Sequence, residues 1–140
     1  MLKKERKESL LFILLLVAIL GSSSYAKSVG SFKIDEMISS VIGKTNFELE
    51  KKDTTVKVTL NTYRLSDDAK TTAQKYMTSL HKKSALFPSF IDVGKADGKQ
   101  KKVNYGTLKK GTYRIDFCVK DQQSAGLVSW YMKGSGTINQ

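Results

Sequence analysis

The chain has 140 residues, with 24 lysines and arginines against 13 aspartates and glutamates, a net charge of +11, one cysteine and one histidine. A single cysteine excludes a fold stapled by internal disulfides, and one cysteine with one histidine is a poor supply for a zinc site of three or four ligands. The positive charge is carried mostly by lysine, which fits diffuse attraction to polyanions and argues against specific nucleic-acid reading, where arginine forks are the usual tool.

Residues 1–26 have the layout of a cleaved secretory signal peptide. Lys3, Lys4, Arg6 and Lys7 form a basic start, an apolar run follows from Leu10 to Leu20, and Ser24-Tyr25-Ala26 supplies small residues for cleavage. The apolar run is too short for a spanning helix, which takes about 20 residues. No cysteine follows it to carry a lipid, and polar residues replace the long apolar helix of a pilin. The expectation is a bacterial protein, secreted and free of an anchor after cleavage, with residues 27–140 as one globular domain. Removing the segment's four basic and two acidic residues leaves 20 basic and 11 acidic residues in the mature chain.

Phe32, Met37, Ile38, Val41 and Ile42 cluster at helical spacing before Gly43, which predicts a short helix over 31–42. Alternation in Thr45–Lys51 and Thr55–Arg64 predicts a β-hairpin with Leu49 facing Val58 and Glu50 facing Lys57. The main helix is expected over 66–83. Ser66 would cap it, Asp67 and Asp68 would lie in its first turn, and Ala69, Ala73, Tyr76, Met77 and Leu80 form one apolar stripe. Leu86–Val93, with the single proline Pro88, reads as irregular chain or an edge strand.

A lysine- and glycine-rich loop spans 94–102. Val103–Leu108 and Thr112–Lys120 then predict a second hairpin through Lys109-Lys110-Gly111. Its register would put Lys102 opposite Cys118. A last strand is expected over Leu127–Lys133. The fold class that follows is α+β: two layers, with an antiparallel sheet of about five strands and one main amphipathic helix over 66–83. The alternative is a β-sandwich, which requires that helix to be wrong or peripheral.

No catalytic motif stands out. A thiol enzyme acting on cell-wall or peptide substrates would need Cys118 activated near His81, and no local pattern joins them. No paired carboxylates, calcium-loop spacing or nucleophile elbow is present, so no metal or cofactor is expected. Binding features remain. Lys95, Lys99, Lys101, Lys102, Lys109 and Lys110 would form a basic edge, whose bland alternatives are solubility and protection of an edge strand. Leu127 and Tyr131 would share the outer face of the last strand as an interface. Cys118, on an outward face with Arg114, Asp116 and Lys120, is a candidate reactive thiol or the link of a homodimer.

These readings converge on a secreted, non-enzymatic binding or accessory protein. It would present its basic edge to an anionic envelope polymer or to an acidic protein partner, an inhibitor or immunity-type role included.

Overall fold

The computed structural model describes residues 26–86, 89–124 and 126–140, with the backbone alone at 89–91. The apolar run of the expected signal peptide lies outside the described residues, as does Pro88. Among the described residues every regular element is a strand: β1 (Ser28–Met37), β2 (Ser40–Ile42), β3 (Phe47–Leu49), β4 (Asp53–Arg64), β5 (Lys75–Lys82), β6 (Ser89–Lys95), β7 (Lys101–Thr107), β8 (Gly111–Val119) and β9 (Trp130–Asn139). One sheet has the order β1-β9-β4-β7. The other has the order β2-β8-β5-β6, with β3 also on β8. All pairings are antiparallel.

This corrects the α+β expectation, and both expected helices are replaced. In the segment 66–83, Ser66, Asp67 and Asp68 form a turn instead of a helix start. The Ala69 amide donates to Asp67 Oδ1 at 3.2 Å, an Asx turn. Asp68 takes a left-handed φ of 56°, which helix propagation does not tolerate. The backbone then bonds the free edge of β4, with Arg64 N donating to Ala69 O and Thr71 N to Thr62 O. From Lys75 onward the chain is a central strand. Tyr76, Thr78 and Leu80 point inward and are buried. Tyr76 and Leu80 therefore satisfy period two as well as period 3.6, and pairing on both flanks, with β6 and β8, decides between them.

The segment 31–42 is likewise split between β1 and β2. Phe32 and Ile34 face the interior, while Lys33 and Asp35 face solvent in an ion pair of 2.8 Å. Phe32 packs beside Gly136 of β9, where a Cβ would overlap its ring and the Lys57 carbonyl oxygen. Gly43 is not a helix cap; its amide donates to Asp116 Oδ1 at 3.0 Å.

Both expected hairpins are also corrected. β3 lies in one sheet and β4 in the other, and the same holds for β7 and β8. Each pair is an arch across the core. The hydrogen bonds run between the arches: Leu49 pairs with Gly111, and Asp53 pairs with Thr107. Leu108 N donates to Lys52 O, and Lys110 meets Glu50 at 3.2 Å. Alternating residues bury the same face in either arrangement, so local pattern does not separate a hairpin from an arch.

The two sheets face each other across one core. Val56, Val58, Leu60, Val103, Met132 and Ile138 come from the four-stranded sheet, and Tyr76, Leu80, Tyr113, Ile115, Phe117 and Val119 from the other. Phe32 and Phe117 meet across the layers with ring centroids 5.4 Å apart. The β6–β7 connection closes one side of this stack. It is stitched to β4 by Thr62 N donating to Ala96 O and Gly98 N to Leu60 O.

Candidate anion-binding surface

The six lysines of the expected basic edge do not form one patch. Lys95, Lys99, Lys101 and Lys102 lie around the β6–β7 connection. Lys109 and Lys110 lie beyond the far end of β7, a strand of seven residues, or about 20 Å away. Salt bridges engage three of the six: Lys99 with Asp97 at 3.9 Å, Lys101 with Asp92 at 3.5 Å, and Lys110 with Glu50 at 3.2 Å.

Sequence reasoning missed the neighbours that pairing brings to the first group. Lys75 of β5 is directly opposite Lys95 of β6. On its other side Lys120 N donates to Lys75 O at 3.0 Å, continuing the register in which Tyr76 meets Val119. Lys95, Lys75 and Lys120, the residue just past the end of β8, thus form a row on one outer face. Lys57 of β4 is directly opposite Lys102 of β7 on the other outer face. None of these five lysines has a salt bridge among the described residues. The two rows flank the same connection, so cations wrap one edge of the stack. Like charges directly opposite each other oppose sheet formation. The signal was present in sequence as isolated lysines, but the partner strand of each was not.

Lys57 also lines a shallow trough of about 1050 Å³ on the outer face of the four-stranded sheet, with Thr59, Asn61, Lys133, Ser135 and Thr137. At its end Tyr63 and Tyr131 stack with centroids 5.5 Å apart, and Lys133 Nζ stands 4.7 Å above the Tyr63 ring, a cation–π contact.

The expected Leu127–Tyr131 pair is corrected. β9 starts at Trp130, so Leu127 is in the preceding loop and 75% exposed. Tyr131 does project from the outer face but is only 7% exposed. Tyr63 covers its ring, and its hydroxyl donates to Asp68 at 2.9 Å. Burial, followed by that hydrogen bond, raises its pKa above the usual phenol value.

Cys118 is half-buried on the outer face of β8, opposite Met77 and Ser40. Its Sγ donates to Val119 O at 3.4 Å. Lys102 is not opposite it, because β7 and β8 belong to different sheets. His81 faces Arg114, four residues along β8 from Cys118, about 13 Å, so thiol and imidazole do not form a pair.

Two interior phenols lie behind the cationic edge. Burial pushes Tyr76 up to about 12, with Asp92 and Asp97 adding to the shift. Tyr105 is raised by burial and then by Asp92. Both hydroxyls are buried without a hydrogen-bond partner among the described residues.

Compared with known proteins, the chain matches no family model, and no curated protein matches it in sequence.

Proposed function

We propose that this chain is an exported, non-enzymatic binding domain that holds an anionic polymer of the cell envelope on the cationic edge around the β6–β7 connection. The observation that carries this reading is the pair of unbridged lysine rows, Lys120–Lys75–Lys95 and Lys57–Lys102. Each row sets like charges side by side with no salt-bridged carboxylate among the described residues, an arrangement that a polyanion lying across the edge would relieve. The basic start, short apolar run and small-residue site of residues 1–26 support export.

Affinity through exposed ammonium groups falls as ionic strength rises, since the Debye length shrinks from about 10 Å at 0.1 M to about 3 Å at 1 M. The chain from residue 27 should therefore be retained on immobilised heparin or polyphosphate at low salt and released by about 0.5 M salt. A Lys57→Gln/Lys75→Gln/Lys95→Gln variant should elute markedly earlier. A Lys109→Gln/Lys110→Gln variant, altered at the other end of β7, should elute close to the parent. Retention insensitive to salt, or equal losses in both variants, would defeat the assignment.

A further inference from the structure

We infer that the small pocket between the interrupted β2–β3 edge and the end of β5 is a binding site for a tetrahedral oxyanion of the phosphate type. Asn46, His81, Lys83, Tyr113 and Arg114 line it, and its volume is about 130 Å³. That space admits a tetrahedral anion together with some of its water.

The strand register explains how these residues meet. Ile42 pairs with Asp116 and Phe47 with Tyr113, so residues 43–46 stand against Arg114 and Ile115 alone. The surplus chain bows away from the sheet and brings Asn46 to the pocket wall. On the other flank of β8, His81 is directly opposite Arg114. Lys83 follows, held by its amide donating to Thr112 O at 3.0 Å.

The lining side chains are rich in donors, and none is a carboxylate. Of the acids on this face, Glu48 lies opposite Thr112 and accepts from its hydroxyl at 2.7 Å. Asp116 accepts from Arg114 Nε at 3.3 Å and from the Gly43 amide at 3.0 Å. It therefore engages one side of the guanidinium and leaves the terminal nitrogens for another acceptor. His81 contributes to the wall, but its Nδ1 is sealed from solvent and has no hydrogen-bond partner among the described residues, so the contacts to an anion fall to Arg114, Lys83 and Asn46. A guanidinium, an ammonium and a side-chain amide together match an acceptor-only anion, and the fork of a guanidinium suits bidentate contact.

The site does not depend on the polymer reading. Lys75 and His81 are six residues apart on β5, about 20 Å. Inorganic phosphate titrated into the chain from residue 27 at constant ionic strength, followed by ¹H–¹⁵N correlation spectra, provides the test. Saturable shifts should be confined to Asn46, His81, Lys83, Tyr113, Arg114 and their immediate neighbours. Arg114→Gln should weaken binding about tenfold or more. Because Arg114 also holds Asp116, Lys83→Gln and Asn46→Ala supply the same test with that contact intact.

Glycerol phosphate separates the two sources of the anion. Binding equal to inorganic phosphate assigns the site to an esterified phosphoryl group, and binding of inorganic phosphate alone assigns it to the free ion. Absence of saturable shifts in the pocket overturns the inference, as do shifts spread equally over Lys75, Lys95 and Lys120. Loss of heparin retention with phosphate binding intact would remove only the polymer reading.

Discussion

Lys75 of β5 and Lys95 of β6 are directly opposite each other, and Lys120 borders Lys75 on its other flank. Three neighbouring ammonium groups work against the sheet that carries them, so this end of the molecule trades stability for charge. Lys75→Glu should raise stability by a few tenths to about 1 kcal/mol, because it turns two repulsive neighbours into attractive ones. The same change should shorten retention on a polyanion column. Thermal unfolding and column elution measured together check it; a variant that loses stability contradicts the account of the row.

The close approach of β1, β9 and β4 rests on missing side chains in β9. A Cβ at Gly136 would overlap the Lys57 carbonyl oxygen and the tip of the Phe32 ring. Gly136→Ala should therefore cost about 1–3 kcal/mol, the usual range for overpacking. Urea denaturation gives the number. A midpoint unchanged from the parent would show that β1 is not seated as described.

Tyr76 is buried with a hydroxyl that has no partner among the described residues, and its pKa is raised from 10.0 to about 12 by burial and the nearby Asp92 and Asp97. The folded state thus keeps the phenolic proton at a pH where the unfolded chain releases it. That contribution is complete below pH 10 and is lost as pH rises from 10 through about 12. Tyr76→Phe should flatten this part of the stability–pH curve. At neutral pH it should leave stability equal or slightly higher, since a buried hydroxyl without a partner is removed. Denaturation of both proteins across pH 8–12 tests each half of the statement.

Cys118 is half-buried, with its Sγ engaged by the Val119 carbonyl. It should react more slowly with a thiol reagent in the folded chain than in urea. The chain should also run as a monomer on a non-reducing gel after mild oxidation. A band of twice the mass, absent in Cys118→Ser, would instead establish the disulfide-linked dimer.

How far the fold was legible can be judged at β5. Tyr76 and Leu80 are four residues apart, a spacing that serves one face of a helix and also, at period two, one face of a strand. Asp67 and Asp68 resemble the first turn of a helix in sequence, yet in the structure they form a turn. The inward residues of β4 and β8, such as Val58, Leu60, Ile115 and Phe117, were readable from alternation, and they are buried. Their partners were not readable, because an arch and a hairpin bury the same alternate residues.

The candidate site divides in the same way. Lys95, Lys99, Lys101 and Lys102 were visible as a cluster because they are close in the chain. Lys57, Lys75 and Lys120 join them only through pairing, as Asn46 joins His81 and Arg114. By itself the sequence determined the excess of lysine, the single thiol and which face of β3, β4, β7 and β8 is buried, since these depend on composition and on the period of side-chain direction. Only the tertiary structure decided that 66–83 is turn and strand, which sheet each strand enters, and which cations stand together. Those outcomes depend on backbone hydrogen bonds between distant segments, and the side chains of one segment do not specify the partner that completes them.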